Sequence, residues 1–137
     1  MAARGKKNSS YQGMNWCAPA TRLALYLRDG MACAWCGAGI EDGAILTLDH
    51  LAPYATGTVD NRPTNLVTSC RSCNSRRGDR SVEAFAQAVA EYSDHGVSAT
   101  DILDHIVACT ARQLPRAEAR DLIARRGRLS IVLAELR

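Results

Sequence analysis

Apolar positions along the chain change their rhythm twice. Behind Pro19, which suits the first turn of a helix, Leu23, Tyr26 and Leu27 recur at helical spacing and stop at Asp29-Gly30, where Gly30 reads as a C-terminal cap. The rhythm then becomes that of short strands. Ile45-Leu46-Thr47-Leu48 is a β-prone run between Gly43 and Asp49-His50, and Leu66-Val67-Thr68 reads as its partner after a loop with Pro53, Gly57 and Pro63. A short basic helix, Asn74-Ser75-Arg76-Arg77, ends near Gly78. From Ser81 onward the helical period returns. Val82, Phe85, Val89 and Tyr92 mark one helix, and Ile102, Leu103, Ile106 and Val107 a second that begins near Thr100; Val82, Phe85, Val89, Ile102, Ile106 and Val107 are the expected buried set. Beyond Pro115, Leu122 and Ile123 mark a third, ended by Gly127, and Leu129, Val132, Leu133 and Leu136 a fourth.

This sequence of elements predicts an α+β chain with an N-terminal helix, a small mixed core and a helical C-terminal extension. We place a mobile basic arm at residues 1–18, the core at 19–80 and the extension at 81–137. Composition narrows the core: 47% of the chain is hydrophobic, but with a single Phe, so the interior is aliphatic. No run of about 18 apolar residues supports a membrane span. The basic start, Arg4, Lys6 and Lys7, leads into no apolar signal segment, so a cytoplasmic setting is expected. In that reducing setting paired cysteines bind metal more often than they form disulfides.

The net charge of +3 hides a pattern. Residues 1–80 hold ten Lys/Arg and six Asp/Glu, residues 81–111 hold five acids and no Lys or Arg, and residues 112–137 hold seven Arg and three acids. Contact with a polyanion is therefore expected from the two ends rather than the middle.

Two cysteine pairs carry the first chemical signal. Cys33-Ala34-Trp35-Cys36 and Cys70-Arg71-Ser72-Cys73 are separated by 33 residues. A CxxC turn places two thiolates on one metal, so the two turns supply the four ligands of a closed, structural zinc site. Cys17 and Cys109 have no partner at ligand spacing and read as small buried hydrophobes. Between and beside the pairs lie Asp49, His50 and Asn74. Asp49 offers a hard anionic oxygen for a divalent ion, Asn74 a neutral amide oxygen, and His50 can take a proton from water near neutral pH. A regular strand would turn Asp49 and His50 to opposite faces, so one phosphate can meet both only if the strand ends there. Leu51-Ala52-Pro53 supports such an end, because Pro53 has no N–H for a ladder.

Taken together, Cys33-x-x-Cys36, Leu48-Asp49-His50, Asn65-Leu66, Cys70-x-x-Cys73-Asn74 and Arg77-Gly78 resemble the HNH endonuclease family in its zinc-bearing ββα-metal form. The resemblance covers about a third of the chain. It implies a ββα-metal core pinned by a four-cysteine zinc site, with Asp49 and Asn74 holding catalytic Mg²⁺ or Mn²⁺. It further implies that His50 is the general base and that Asn65 braces the loop orienting it, though Asn65 reads equally as a turn residue at a strand start. The family's third position is filled here by Asn74, which implies weaker metal binding than a histidine would give.

Arg71, Arg76, Arg77 and Arg80 crowd the helix that carries Asn74 and are the expected phosphate contacts. Arg112, Arg116, Arg120, Arg125, Arg126 and Arg128 either form a second DNA-facing stripe or pair with the acids of residues 81–111. The resulting expectation is a metal-dependent DNA endonuclease, with two rivals. One is a non-catalytic zinc module that binds nucleic acid, which would have no need of Asp49-His50. The other is a nuclease acting on RNA, which the scarcity of aromatic stacking platforms mildly disfavours. Oligomeric state leaves no mark in the sequence.

Overall fold

A computed structural model describes residues 16–52, 59–92 and 96–137. The basic arm's Arg4, Lys6 and Lys7, the loop residues Pro53 and Gly57, and Asp94 lie outside the described residues. Two strands, β1 (Leu46–His50) and β2 (Leu66–Cys70), pair antiparallel with Leu46 opposite Cys70 and His50 opposite Leu66. Six α-helices surround them among the described residues: α1 (Pro19–Arg28), α2 (Arg71–Arg77), α3 (Val82–Tyr92), α4 (Ala99–Ala111), α5 (Arg116–Arg126) and α6 (Leu129–Glu135). The fold is α+β, as the periodicities predict. The first strand starts one residue later than its apolar run and continues through Asp49-His50; Ile45 stands outside it, half exposed.

A two-stranded hairpin is marginal alone, so its survival depends on what covers it. All five residues of β2 are buried, including Thr68 and Ser69. The strand's outer edge is closed by groups that replace a third strand. Ala34 N donates to Thr68 O at 2.8 Å, Thr68 N donates to Asp29 Oδ2 at 2.8 Å, and Arg28 Nη2 donates to Leu66 O. Arg28 and Asp29 are themselves buried and paired, with Nε donating to Oδ1 at 2.7 Å. The last turn of α1 is thereby welded to the hairpin, and an exposed strand edge is avoided. Gly30, at φ +82°, lets the chain turn back immediately after this pair.

The apolar interior falls into three patches. On the cysteine side, Trp35, Val67, Phe85, Val89, Ile102, Ile106 and Cys109 pack with the cysteine pairs, and Trp35 meets Phe85 edge-on at 4.9 Å. Between α1 and the hairpin lie Cys17, Leu25, Tyr26, Ile40, Leu46, Leu48 and Leu66. On the far side of α1, Leu23 and Ala24 meet Ala119 and Val132. The C-terminal helices thus divide: α3 and α4 cover the cysteine side, while α5 and α6 cover α1. Helix α4 starts at Ser98, whose side chain caps Asp101 N at 3.1 Å while Asp101 returns a bond to Ser98 N, a reciprocal cap.

The packing corrects one expectation about this extension and bears on one alternative. Val107, expected in the core, is 66% exposed. Helix α4 touches the core through Ile102, Ile106 and Cys109, a single i, i+4, i+7 stripe, and Val107 lies a quarter-turn beyond it. The arginines of residues 112–128 also form no ion pair with the acids of 81–111 among the described residues. Arg125 pairs with Asp121 and Arg126 with Glu135, while Arg112 Nη1 donates to Arg28 O at 3.0 Å.

Removing one member of a buried ion pair strands the other charge. Asp29→Ala is therefore expected to destabilise the chain by about 3–5 kcal/mol, whereas Val107→Ala should stay within about 0.5 kcal/mol. Denaturant midpoints for the two variants check this contrast.

Candidate metal centre and active site

Each cysteine knuckle is folded by the same local device. Cys36 N donates to Cys33 Sγ at 3.5 Å, and Cys73 N donates to Cys70 Sγ at 3.4 Å, the latter also capping the first turn of α2. Gly37, at φ +82°, closes the first knuckle so that Gly37 N reaches Cys33 O at 2.9 Å. Pairing of β1 with β2 then brings the knuckles together, and the sulfurs of Cys33, Cys36, Cys70 and Cys73 all lie within 4.8 Å of one another. Four thiols this close cannot all ionise without a positive charge among them. Hydrogen bonds from Cys33 and Cys73 push the Cys36 thiol down, and hydrogen bonding to Cys33 and Cys36 pushes the Cys73 thiol up. A divalent cation with a preference for four thiolates, such as zinc, fits this donor set.

The first knuckle also reaches the candidate active site. Trp35, the third residue of that turn, donates its Nε1–H to Asp49 Oδ2 at 3.0 Å. Arg77 Nη1 donates to Asp49 Oδ1 at 2.9 Å and to His50 O at 2.8 Å; its Nη2 donates to Leu51 O at 2.7 Å and its Nε to Arg80 O at 3.0 Å. The guanidinium lies over the Trp35 ring, 5.4 Å from its centroid. Burial pushes the Asp49 carboxyl up from the ordinary range, and the Arg77 charge and the bonds from Arg77 and Trp35 oppose that.

Arg77 must therefore be taken off the set of phosphate contacts. It is 3% exposed, its terminal nitrogens are turned inward onto the end of β1, and its Nε is taken by Arg80 O. Arg71, Arg76 and Arg80 are exposed. Arg71 and Arg76 line, with Asp42, Ile45, Ser72 and Ser75, an open groove of about 690 Å³ beside the second knuckle. Arg76 also stacks over Tyr92 at 5.0 Å, which leaves that ring at the surface.

Asn74 projects from α2 onto β1. Its Nδ2 donates to Thr47 Oγ1 at 2.9 Å and to Leu48 O at 3.1 Å, so both amide hydrogens are committed to the strand and the carbonyl oxygen is the atom available as a ligand. Thr47 and Asp49, two residues apart on β1, share the face that Asn74 touches. His50, the last residue of β1, belongs to the other face and is half-buried. Its Nε2 lies 2.7 Å from Asn61 Oδ1, and its ring lies 4.8 Å from that of Trp16. The strand does end at His50.

Asn65, 8% exposed, sits where the loop after His50 returns. Ala52 N donates to its Oδ1 at 2.9 Å, and its Nδ2 donates to Asp60 O at 2.8 Å, so one amide ties both arms of the loop. Leu51 N adds a bond to Asn65 O at 2.8 Å. Sequence reasoning did not single out Trp16, Trp35 or Asn61. Trp35 could have been noticed as the one aromatic side chain inside either cysteine turn. Trp16 and Asn61 carry no such sign, since they meet His50 only once the chain has folded.

Loss of the four-thiol cluster should unfold the hairpin, because metal at such a site contributes on the order of 10 kcal/mol in small modules. The purified chain is expected to hold one zinc per molecule by elemental analysis. Cys36→Ser or Cys73→Ser should lose that zinc together with the cooperative melting transition seen by circular dichroism.

Residues 33–80 match the model of the HNH endonuclease family. Among solved structures, the Type II-C Cas9 enzyme from Actinomyces naeslundii is similar at 22% identity and a TM-score of 0.46, over 82% of this chain. The similar region spans 14% of that enzyme's length. No curated protein matches the chain. The segment at residues 33–80, which contains the four-thiol cluster, the Asp49-His50 dipeptide and Asn74, is thus the part of the chain that is similar to the HNH endonuclease family.

Proposed function

We propose that this chain is a metal-dependent endonuclease that hydrolyses phosphodiester bonds in DNA. The observation that carries the reading is the placement of Asn74. Its two amide hydrogens are spent on β1, which leaves a hard carbonyl oxygen on the face of the hairpin that also bears the Asp49 carboxylate. Two hard oxygens on one face suit Mg²⁺ or Mn²⁺. A soft thiolate cluster nearby suits zinc, so the chain can hold two different ions without confusing them.

Bound by Asp49 and Asn74, the hard cation would neutralise charge on the phosphate and on the leaving oxygen. The remaining roles fall to side chains. His50 takes a proton from the attacking water as a bond forms from the water oxygen to phosphorus. The bond from phosphorus to the departing nucleotide oxygen breaks, and that oxygen is protonated from solvent. Arg77 and Trp35 hold Asp49 in its buried position and oppose the upward push that burial gives its carboxyl. Arg71 and Arg76 on α2, and Arg80 just after it, are exposed cations that grip the flanking phosphates. A double-stranded DNA substrate suits a chain that is only 5% aromatic, because stacking platforms for unpaired bases are scarce.

A plasmid-nicking assay on the zinc-loaded chain tests this reading. Cleavage is expected with Mg²⁺ or Mn²⁺ and not with chelator. His50→Ala should lower the rate by about a hundredfold to ten-thousandfold, while its melting temperature and DNA affinity stay near those of the parent. Near-normal cutting by His50→Ala would remove His50 from the chemistry, and a parent chain that binds DNA but never cuts it would instead mark a non-catalytic zinc module.

A further inference from the structure

We propose that Asn61 is a positioning residue for His50, fixing which ring nitrogen carries the proton. This rests on the reading of His50 as the base that activates water. A carbonyl oxygen can only accept a hydrogen bond. The 2.7 Å contact between His50 Nε2 and Asn61 Oδ1 therefore places the ring hydrogen of the neutral imidazole on Nε2 and the lone pair on Nδ1. Nδ1 is then the nitrogen that takes the proton from water, and the resulting imidazolium keeps its bond to Asn61 throughout.

The surroundings hold Asn61 in place for this task. Its neighbours are both tied down: Asp60 O accepts from the buried Asn65 amide at 2.8 Å, and Arg62 O accepts from Asn65 N at 2.8 Å. Arg62 also folds back on Asp60, with its backbone N donating to Asp60 Oδ1 at 3.0 Å and its Nε to the same oxygen at 2.9 Å. Asn65 thus secures the loop, and the loop presents Asn61 to the edge of the imidazole. The face of the ring is met by Trp16, whose own ring is stacked by the buried Arg22 at 5.6 Å. Held at one edge and on one face, His50 keeps a single orientation although it stands at the end of a strand. A polar group that orients a catalytic imidazole through its other nitrogen is a general device. Here the partner is a neutral side-chain amide contributed by the loop before β2.

Two variants separate positioning from bulk. Asn61→Leu keeps the approximate shape and loses the acceptor, while Asn61→Asp keeps the acceptor. Asn61 is exposed, so both should fold, as circular dichroism can verify. Long-range ¹H–¹⁵N correlation on the zinc-loaded chain, at an alkaline pH where the ring is neutral, reads the tautomer; the His50 signal is assigned by its loss in His50→Gln. The parent and Asn61→Asp should show the Nε2–H form and Asn61→Leu a mixture. In plasmid cleavage, Asn61→Leu should lose about tenfold to a hundredfold in kcat with KM unchanged, and Asn61→Asp should recover most of it. An unchanged tautomer in Asn61→Leu, or an unchanged kcat, overturns the proposal. If the parent itself does not cut DNA, the nuclease reading fails, and the tautomer measurement still decides whether Asn61 governs the ring.

Discussion

Arg77 donates from both terminal guanidinium nitrogens into the few residues around the end of β1 and from Nε to Arg80 O, and the candidate site depends on that set of bonds. A strand end is normally the part of a hairpin that frays. Here the carboxylate of Asp49 and the carbonyls of His50 and Leu51 are held by one buried cation on α2, which is itself flattened against Trp35. Burying an arginine is costly unless its charge is paired and its hydrogens are satisfied. Asp49 supplies the charge, and four acceptors supply the bonds. The pair is thereby more than an ion bridge: it joins the helix that carries Asn74 to the strand that carries Asp49 and His50.

The thiol cluster works on the same problem from the other side. It fixes the start of α2 through Cys70 and Cys73, and it fixes Trp35 through the turn between Cys33 and Cys36. Both partners of Asp49 are thus anchored near one point. Helices α3 and α4 then seal the cysteine side with Phe85, Val89, Ile102 and Ile106, while Arg28 and Asp29 close the free edge of β2. A sheet of only two strands is kept intact by groups that are almost all outside it.

How much of this was legible beforehand varies with the kind of signal. The helices and strands follow from periodicity, and several of their ends from Pro19, Gly30 and Gly127. The cysteine cluster follows from spacing alone, because a CxxC turn has few other uses at this distance from a second one. The match of residues 33–80 to the HNH endonuclease model was legible in the Asp49-His50 and Cys73-Asn74 dipeptides. Arg77 was misread, since an arginine in a basic helix looks the same whether it faces phosphate or a buried carboxylate; only the packing of Trp35 against it decides. Val107 was misread because a run of adjacent apolar residues does not say which of them falls on the buried stripe. Trp16 and Asn61 were missed for a different reason. Each lies far along the chain from His50 or in a loop without regular period, and only the closing of the fold brings them to the ring.

The central claim is that the end of this hairpin holds a hard divalent cation separate from the four-thiol cluster. Manganese binding to the zinc-loaded chain, followed by electron paramagnetic resonance, tests it most directly. The account predicts one Mn²⁺ per chain in the parent, with binding weakened in both Asp49→Asn and Asn74→Ala while the zinc content stays at one. Undiminished Mn²⁺ binding in those two variants would contradict it.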